Sequence, residues 1–176
     1  MASWYGRPYD GRRAADGEIY NMETMVAAHR TLPFNTMVRV FDLDNGKAVD
    51  VRIIDRGPFV DGRIIDLSHA AATEIGMIGP GIANVRVEIL AAPAPLTTGV
   101  FAVQVGAYRD RDNAERTRSE MQPYGESRVV LEKGFWRVLV GRETTEAAAS
   151  ALADRIRKNS PEKKSAFVVR IDSEAT

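Results

Sequence analysis

Short stretches of β-branched or alternating residues dominate the first 90 positions of the chain. Residues 37–41 and 49–54 are rich in valine and isoleucine, and residues 85–90 alternate apolar with charged side chains. Such patterns are typical of half-buried β-strands. An Asn-Gly pair at residues 45–46 separates the first two stretches and suits a tight turn between them.

One helix is predicted in this half, at residues 68–75, with Ser68 as its N-cap. The rest of the half consists of short strand candidates and turns that contain glycine or proline. We therefore expect an all-β unit that folds as a small barrel or sandwich.

The second half contains an internal repeat. Val103-Gln104-Val105-Gly106 is echoed by Val138-Leu139-Val140-Gly141, and an aromatic residue, Phe101 or Trp136, precedes each copy. Each copy is followed by a helical stretch and a further strand, at residues 110–122 and 127–132 and at residues 144–158 and 166–171. The pattern predicts a βαββαβ domain, with a four-stranded antiparallel sheet under two helices.

The boundary between the halves is a short linker. Residues 91–98 carry two prolines, small side chains and no charge. We expect one domain over residues 1–90 and a second over residues 99–173.

Composition excludes several classes of function. The 176 residues include 24 Lys+Arg, 24 Asp+Glu and no cysteine, which excludes disulfide scaffolds, thiolate metal sites and cysteine nucleophiles. Zero net charge argues against nucleic acid as the main ligand and is compatible with a monomer. No apolar run approaches the ~20 residues of a membrane span.

Two aspartates are the first candidates for chemistry. Asp55 follows the strand predicted at residues 49–54, and Asp66 lies inside the apolar run of residues 62–68. A turn rich in glycine and proline separates them, so both carboxylates could reach one cleft. Two carboxylates in different environments are the usual apparatus for cleaving glycosidic bonds, with one held protonated as the acid.

Each aspartate also has a structural interpretation. Asp55 could begin a turn by accepting backbone N–H groups. A buried, unpaired carboxylate is costly, so Asp66 could be paired with Arg56 or Arg63, or lie near the cap of the following helix. The sequence leaves both alternatives open.

His29 could add a second titrating group or orient one of the carboxylates. It could equally be a loop histidine satisfied by a backbone carbonyl. A zinc site built from His29, His69, Asp55 and Asp66 is the rival hypothesis, but their spacing matches no zinc motif. We expect no metal and no other cofactor.

Candidate sugar contacts lie in both halves. Trp4 and Tyr5 are either packing residues or platforms for a sugar ring. In the second half, the apolar set Phe101, Val103 and Val105 should face the helices.

This alternation places Gln104 on an open sheet face, with Arg137 as a candidate neighbour. An open polar face near aromatic residues is a plausible glycan surface. Plain solvent exposure explains the pattern equally well.

Five motifs of the first half occur in one order: Ser3-Trp4-Tyr5-Gly6, Gly11-Arg12-Arg13-Ala14-Ala15-Asp16-Gly17-Glu18, Ala27-Ala28-His29-Arg30-Thr31-Leu32-Pro33, Asp55-Arg56-Gly57-Pro58-Phe59 and Gly62-Arg63-Ile64-Ile65-Asp66-Leu67-Ser68. Together they resemble the rare lipoprotein A family over residues 2–90. The resemblance implies a double-psi β-barrel related to expansins and family-45 endoglucanases. Residues 99–173 resemble a sporulation-related repeat (SPOR) domain, through residues 103–108 and 136–141.

The resemblance implies an activity. Members of the family are lytic transglycosylases, which cleave between N-acetylmuramic acid and N-acetylglucosamine and leave a 1,6-anhydro end. SPOR domains bind peptidoglycan strands stripped of their peptides, which occur at the division septum. The implied substrate is therefore peptide-free glycan.

The resemblance also implies roles for individual residues. Within the family, the positions of His29 and Asp55 are linked to catalysis, and Glu18 shares their cleft. In the related barrels the acid occupies the position of Asp66. We expect substrate contacts from a wider set of residues: Trp4, Tyr5, Arg56, Gln104, Trp136 and Arg137.

The family resemblance further implies a lipoprotein at the periplasmic face of the outer membrane, enriched at the septum. No signal segment and no lipid-bearing cysteine are present in the sequence, so we expect a trimmed N-terminus. Two hypotheses without catalysis stay open: an expansin-like protein that binds glycan without cleaving it, and a docking module of the division machinery.

Overall fold

A computed structural model describes residues 1–163 and 165–171. These residues form two compact units, at residues 1–96 and 97–171. Among the described helices, none is both long enough and apolar enough to cross a membrane.

The first unit is built around one seven-stranded sheet. Its strands are β1 (Ala2–Trp4), β2 (Val26–Ala28), β3 (Met37–Asp42), β4 (Ala48–Asp55), β5 (Ile65–Leu67), β6 (Ile82–Ala83) and β7 (Val85–Ala91), and its helix is α1 (His69–Glu74). The strand order is β6-β1-β5-β2-β4-β3-β7. The pairs β1–β5 and β2–β4 are parallel, whereas the other neighbours are antiparallel.

The predicted strands and helix of this unit are confirmed to within one residue at most ends. Strand β4 extends through Asp55, so the candidate aspartate is the last residue of the strand and not the first of the turn. Ser68 caps α1 as predicted, because its hydroxyl accepts the N–H of Ala71 at 3.2 Å.

The core of the first unit lies between the sheet and α1. Strands β3, β4 and β5 alternate buried with more exposed positions, and their buried residues meet the apolar face of α1 and the residues that follow it. The fully buried set includes Val38, Val40, Val51, Ile53, Ile65, Leu67, Ala71, Ala72, Ile75 and Met77. Asp66 lies between two of these core residues and therefore points to the other face of the sheet.

The second unit has the predicted βαββαβ order. Its elements are β8 (Thr98–Tyr108), α2 (Arg111–Met121), β9 (Ser127–Glu132), β10 (Phe135–Thr145), α3 (Glu146–Asn159) and β11 (Phe167–Arg170), with 3₁₀ turns at Gln122–Tyr124 and Pro161–Lys163. The strand order β11-β8-β10-β9 is antiparallel throughout. The predicted four-stranded antiparallel sheet with two helices is therefore confirmed.

The helices cover one face of this sheet, and the predicted apolar face is largely confirmed. Val103 and Val105 pack in one core with residues of both helices, namely Ala114, Met121, Leu152, Ala153 and Ile156. Phe101 is also fully buried, and the guanidinium of Arg170 lies 5.2 Å from the centre of its ring.

Candidate active site

Strand β2 brings the two candidate aspartates to neighbouring positions. Ala28, the last residue of β2, pairs in register with Asp55 on β4 and with Asp66 on β5. The turn after β4 also approaches Asp66, since a Cβ atom at Gly57 would lie 3.8 Å from its Oδ2. Gly57 has a φ of +144°, a conformation that favours glycine. Residues eleven positions apart in sequence are thus held on either side of one strand end.

Asp66 is half-buried in the middle of β5. The hydroxyl of Ser3, on the neighbouring strand β1, donates to Oδ1 of Asp66. Burial raises the pKa of Asp66, and the charge of Asp55 adds to the increase. The Ser3 hydrogen bond and the cations Arg63 and Arg30 lower this pKa and offset part of the increase. The net shift of the Asp66 pKa is upward, which is the direction that a general acid requires.

Asp55 has different surroundings. Its side chain is 3% exposed, and Oδ1 accepts the backbone N–H of Arg56 at 2.8 Å and that of Ala15 at 3.1 Å. These bonds tie the loop around Ala15 to the end of β4. The structural interpretation of Asp55, a carboxylate that accepts backbone N–H groups, matches this geometry.

His29 is neutral in this arrangement. Its Nδ1 accepts the backbone N–H groups of Thr31 and Leu32, both at 3.2 Å. Burial lowers the pKa of His29 to about 3, and the nearby cations Arg30 and Arg56 contribute. Because Nδ1 is an acceptor, the ring proton is on Nε2, and His29 can offer one uncharged N–H donor.

Arg56 was predicted to contact substrate, but the structure places it in a supporting position. It is 6% exposed and donates to the backbone carbonyls of His29, at 3.2 Å, and Leu32, at 2.9 Å. Its guanidinium also lies 3.8 Å from the centre of the Phe34 ring. A buried cation with carbonyl and ring partners fixes the loop that follows β2, and it has little surface left for a sugar.

Glu18 lies at the exposed end of an ion pair. Both of its carboxylate oxygens accept from Arg52 at 2.8 Å, which lowers the pKa of Glu18. Arg52 also donates to Asn35 at 2.8 Å. The ion pair connects the loop before Tyr20 to strand β4, so Glu18 is a rim residue of this region.

Tyr5 carries a buried hydroxyl beside the carboxylates. Its Oη lacks a hydrogen-bond partner among the residues that the structure describes. Burial raises the pKa of Tyr5 far above its usual range, and Asp55, Asp66 and Asp16 contribute through their charge. The ring stacks on Tyr20 at a centroid distance of 4.4 Å. The Tyr5 hydroxyl is therefore a buried, neutral donor without a described partner.

Trp4 takes the packing role that was one of its two predicted alternatives. Its ring packs against the core of the first unit and meets His69 edge-on at a centroid distance of 5.6 Å. His69 itself lies 3.0 Å from Glu23, at the start of α1. Within the described ranges, no group of three or more His, Cys, Asp or Glu side chains could hold a metal ion.

The three candidates of the second unit do not share one surface. Trp136 packs against the helix-side core, with the guanidinium of Arg111 at 5.1 Å from its ring. Arg137, the next residue along β10, donates to Oε1 of Gln104 at 3.0 Å, as its predicted neighbour. Gln104 is only 4% exposed, so the prediction of an open face at this position is wrong. The physical reason is that Arg137 lies beside it and its register partner Leu139 is also buried.

Comparisons with known proteins match each half of the chain to a family. The family described as "Lytic transglycolase" matches residues 1–87, and the "SPOR domain" family matches residues 97–170. A Vibrio cholerae protein named "Endolytic peptidoglycan transglycosylase RlpA" is 38% identical over 184 residues, which cover 99% of this chain and 69% of that protein. The chain belongs to the RlpA family.

A Helicobacter pylori RlpA with the same name is 39% identical over 163 residues, covering 92% of this chain and 49% of that protein. The chain thus spans about half the length of this curated relative. The RlpA assignment confirms the predicted fold class, a double-psi β-barrel-type unit followed by a SPOR unit.

The motifs shared with the RlpA family did not single out every residue of this site. Asp16 is part of the second motif, but its position between alanine and glycine predicts only a turn. In the structure its side chain is 7% exposed, and burial raises its pKa. Tyr20 was missed as well, although its hydroxyl donates to the backbone carbonyl of Tyr5 at 2.7 Å. Neither contact has a sequence signal, because each depends on how distant loops meet.

Proposed function

We propose that the first unit cleaves peptidoglycan by lytic transglycosylation, between N-acetylmuramic acid and N-acetylglucosamine. The observation that carries the proposal is Asp66: a half-buried carboxyl with a raised pKa, which accepts the Ser3 hydroxyl and shares the neighbouring strand β2 with Asp55. The names of the relatives and the matching family support the same reaction.

In the proposed reaction Asp66 acts first as acid and then as base. Its carboxyl proton goes to the glycosidic oxygen, and the bond from that oxygen to C1 of the muramyl sugar breaks, with the electron pair leaving on the oxygen. The 6-hydroxyl of the same sugar then forms a bond to C1 and gives its proton to the Asp66 carboxylate. The cycle restores the acid and consumes no water.

The surrounding residues have distinct proposed roles. Asp55 holds the end of β4 and contributes negative charge that stabilises the developing positive charge at C1. His29 and Tyr5 are neutral donors for hydroxyl or acetamido oxygens of the sugar. Glu18, at the rim, positions Arg52 and the loop that carries Ala15.

We propose that the second unit binds glycan strands that lack peptides, which would direct the protein to the division septum. Arg137, with Gln104 behind it, is the proposed polar contact, whereas Trp136 is assigned to packing. A monomer that is lipid-anchored at the periplasmic face of the outer membrane completes the proposal for the full-length protein.

The decisive experiment incubates the protein with purified peptide-free strands and detects anhydro ends by mass spectrometry. We expect anhydro products from the wild type and none from Asp66→Asn. The matched control is Asp50→Asn, an exposed aspartate of β4 that pairs with Arg39 and should leave the rate unchanged. Binding without anhydro products from the wild type would favour the expansin-like alternative.

A separate experiment tests the second unit. The full chain should sediment with amidase-treated sacculi and only weakly with untreated sacculi. Arg137→Ala should weaken this binding by about 0.5–3 kcal/mol if the guanidinium contacts sugar or lactyl oxygens. Equal sedimentation with both kinds of sacculi would contradict the proposed preference.

A further inference from the structure

The arginine that precedes β5 differs from other arginines of the first unit. Arg39 and Arg52 each hold a carboxylate through two hydrogen bonds of 2.7–2.8 Å. Arg63 is half-buried, yet its Nε is buried without a hydrogen-bond partner in the described part of the chain. A buried guanidinium N–H without an acceptor is costly, and such a group is a candidate for binding a ligand.

The backbone around Arg63 is fixed from both sides. The N–H of Ile64 donates to the carbonyl of Met1 at 2.9 Å. The N–H of Arg63 donates to Val60 at 3.3 Å. The guanidinium therefore extends from a segment that is already ordered, which reduces the entropy lost when a ligand binds.

Arg63 precedes the candidate acid by three residues, on the segment that leads into β5. Its charge lowers the pKa of Asp66, and Arg30 acts in the same direction. Arg30 donates to the carbonyl of Pro58 at 3.3 Å, so it has a partner. A cation beside a general acid opposes the protonated form that catalysis needs, unless an anion neutralises the cation when substrate binds.

We propose that the guanidinium of Arg63 binds a carboxylate of the substrate, namely the lactyl carboxylate that N-acetylmuramic acid exposes once its peptide has been removed. The lactyl group is attached at C3 of the sugar, two ring carbons from the C1 atom at which the bond breaks. A cation next to the acid is thus in the region that this group would occupy. The inference rests on the proposed function and assigns the choice of peptide-free strands to the barrel as well as to the SPOR unit.

The chemistry of the two substrate forms explains the selectivity. In a peptide-bearing strand the lactyl carbonyl is an amide, which carries no charge and cannot pair with a guanidinium. In a peptide-free strand it is a carboxylate, which accepts charge-assisted hydrogen bonds.

Binding of this carboxylate also acts on the acid. A bound anion neutralises Arg63 and repels negative charge on Asp66, so the protonated form gains stability. The other charged or titratable groups that act on Asp66 are Asp55 at the end of β4, Tyr5 after β1 and Arg30 in the loop after β2. These groups are the same whichever substrate is bound. The difference in the protonation of Asp66 between the two substrates therefore comes from Arg63.

The first test compares matched strands. Peptide-free strands are prepared with free lactyl carboxylates or with those carboxylates converted to primary amides, and initial rates of anhydro-end formation are measured. We expect the wild type to prefer the carboxylate strands roughly tenfold to hundredfold. Arg63→Gln should lose this preference, and Arg86→Gln, an exposed arginine paired with Glu88, should keep it. Retention of the full preference by Arg63→Gln would overturn the inference.

A second test does not depend on cleavage. The NMR resonance of Arg63 Nε–H is followed during titration with N-acetylmuramic acid, which has no bond to cleave, with its primary amide, and with acetate. We expect the free acid alone to shift the resonance at low concentration. An equal response to acetate would show a general anion site and would overturn the inference. No response to any of the three compounds would overturn it as well. If no strand is cleaved, the proposed function fails while this titration still decides the role of Arg63.

Discussion

Strands β4 and β5 each place an aspartate beside β2, but in different surroundings. At the end of β4, Asp55 is buried and one of its oxygens accepts two backbone N–H groups. In β5, Asp66 is half-buried and one of its oxygens accepts a single hydroxyl, from Ser3. The two backbone hydrogen bonds give Asp55 a structural role, whereas burial raises the pKa of Asp66. The proposed division between a supporting aspartate and an acid therefore follows from the surroundings and not from the residue type.

The largest effect is expected at Asp66. Asp66→Asn keeps an oxygen for the Ser3 hydroxyl but cannot transfer a proton, so the rate of anhydro-end formation should fall by about 10²–10⁴-fold. The midpoint of thermal unfolding should change little. Mass detection of products and a thermal scan give the two values, and a variant with the wild-type rate would move the acid to Asp55.

At Asp55 we expect truncation to affect mainly the stability of the fold. Asp55→Ala leaves two buried N–H groups without their acceptor and should lower the free energy of unfolding by about 2–5 kcal/mol. Urea denaturation measures this loss. Asp55→Asn keeps an acceptor oxygen, so it should retain most of the stability, and its cleavage rate then reports the role of the charge. If Asp55→Ala is as stable as the wild type, the supporting role is excluded.

His29 should make the stability of the first unit depend on pH. Its pKa of about 3 in the folded protein lies below its ordinary value of 6.5, so the unfolded chain binds the proton more tightly. The contribution of His29 to stability is therefore present above pH 6.5 and is lost as the pH falls toward 3. His29→Asn keeps an acceptor for the two N–H groups and should abolish this pH dependence.

The check on His29 is a pair of urea titrations at pH 7 and pH 5. The stability difference between wild type and His29→Asn should shrink at the lower pH. His69→Asn is the matched control, because His69 lies at the start of α1 beside Glu23. A difference that is equal at both pH values would contradict a neutral, buried His29.

The smallest effect is expected at Tyr5. Tyr5→Phe removes a buried hydroxyl without a described partner, so stability should stay unchanged or rise slightly. Loss of one neutral hydrogen bond to the sugar should slow cleavage by roughly 2- to 13-fold. Tyr20→Phe provides the contrast, because its hydroxyl donates to the Tyr5 carbonyl and its loss should lower stability by about 0.5–1.5 kcal/mol.

The sequence predicted the elements better than their surroundings. Strands β3, β4 and β7 and helix α1 were found from local patterns, because alternation and capping depend on neighbouring residues. The proximity of Asp55 and Asp66 was predicted from the short turn between them. Their placement on opposite sides of β2 was not predictable, since parallel pairing with a distant strand leaves no local signal.

The burial of candidate residues could not be predicted from the sequence. Gln104 was expected on an open sheet face and Arg56 among the substrate contacts, yet both lie buried against partners. Sequence periodicity tells which face a residue occupies but not what covers that face. Arg63 was noted only as a possible partner of Asp66, and its unpaired Nε could be recognised only from coordinates.

Strand β1 has a consequence for how the protein is made. It supplies Ser3 and leads into Tyr5, but its partners are residues 65–67 on one side and residues 82–83 on the other. Both partners therefore lie more than 60 residues further along the chain, and closing so long a loop slows folding. The contact between the Ser3 hydroxyl and Asp66 forms only once this long-range pair is in place, so the proposed acid site depends on the pairing of β1 with β5.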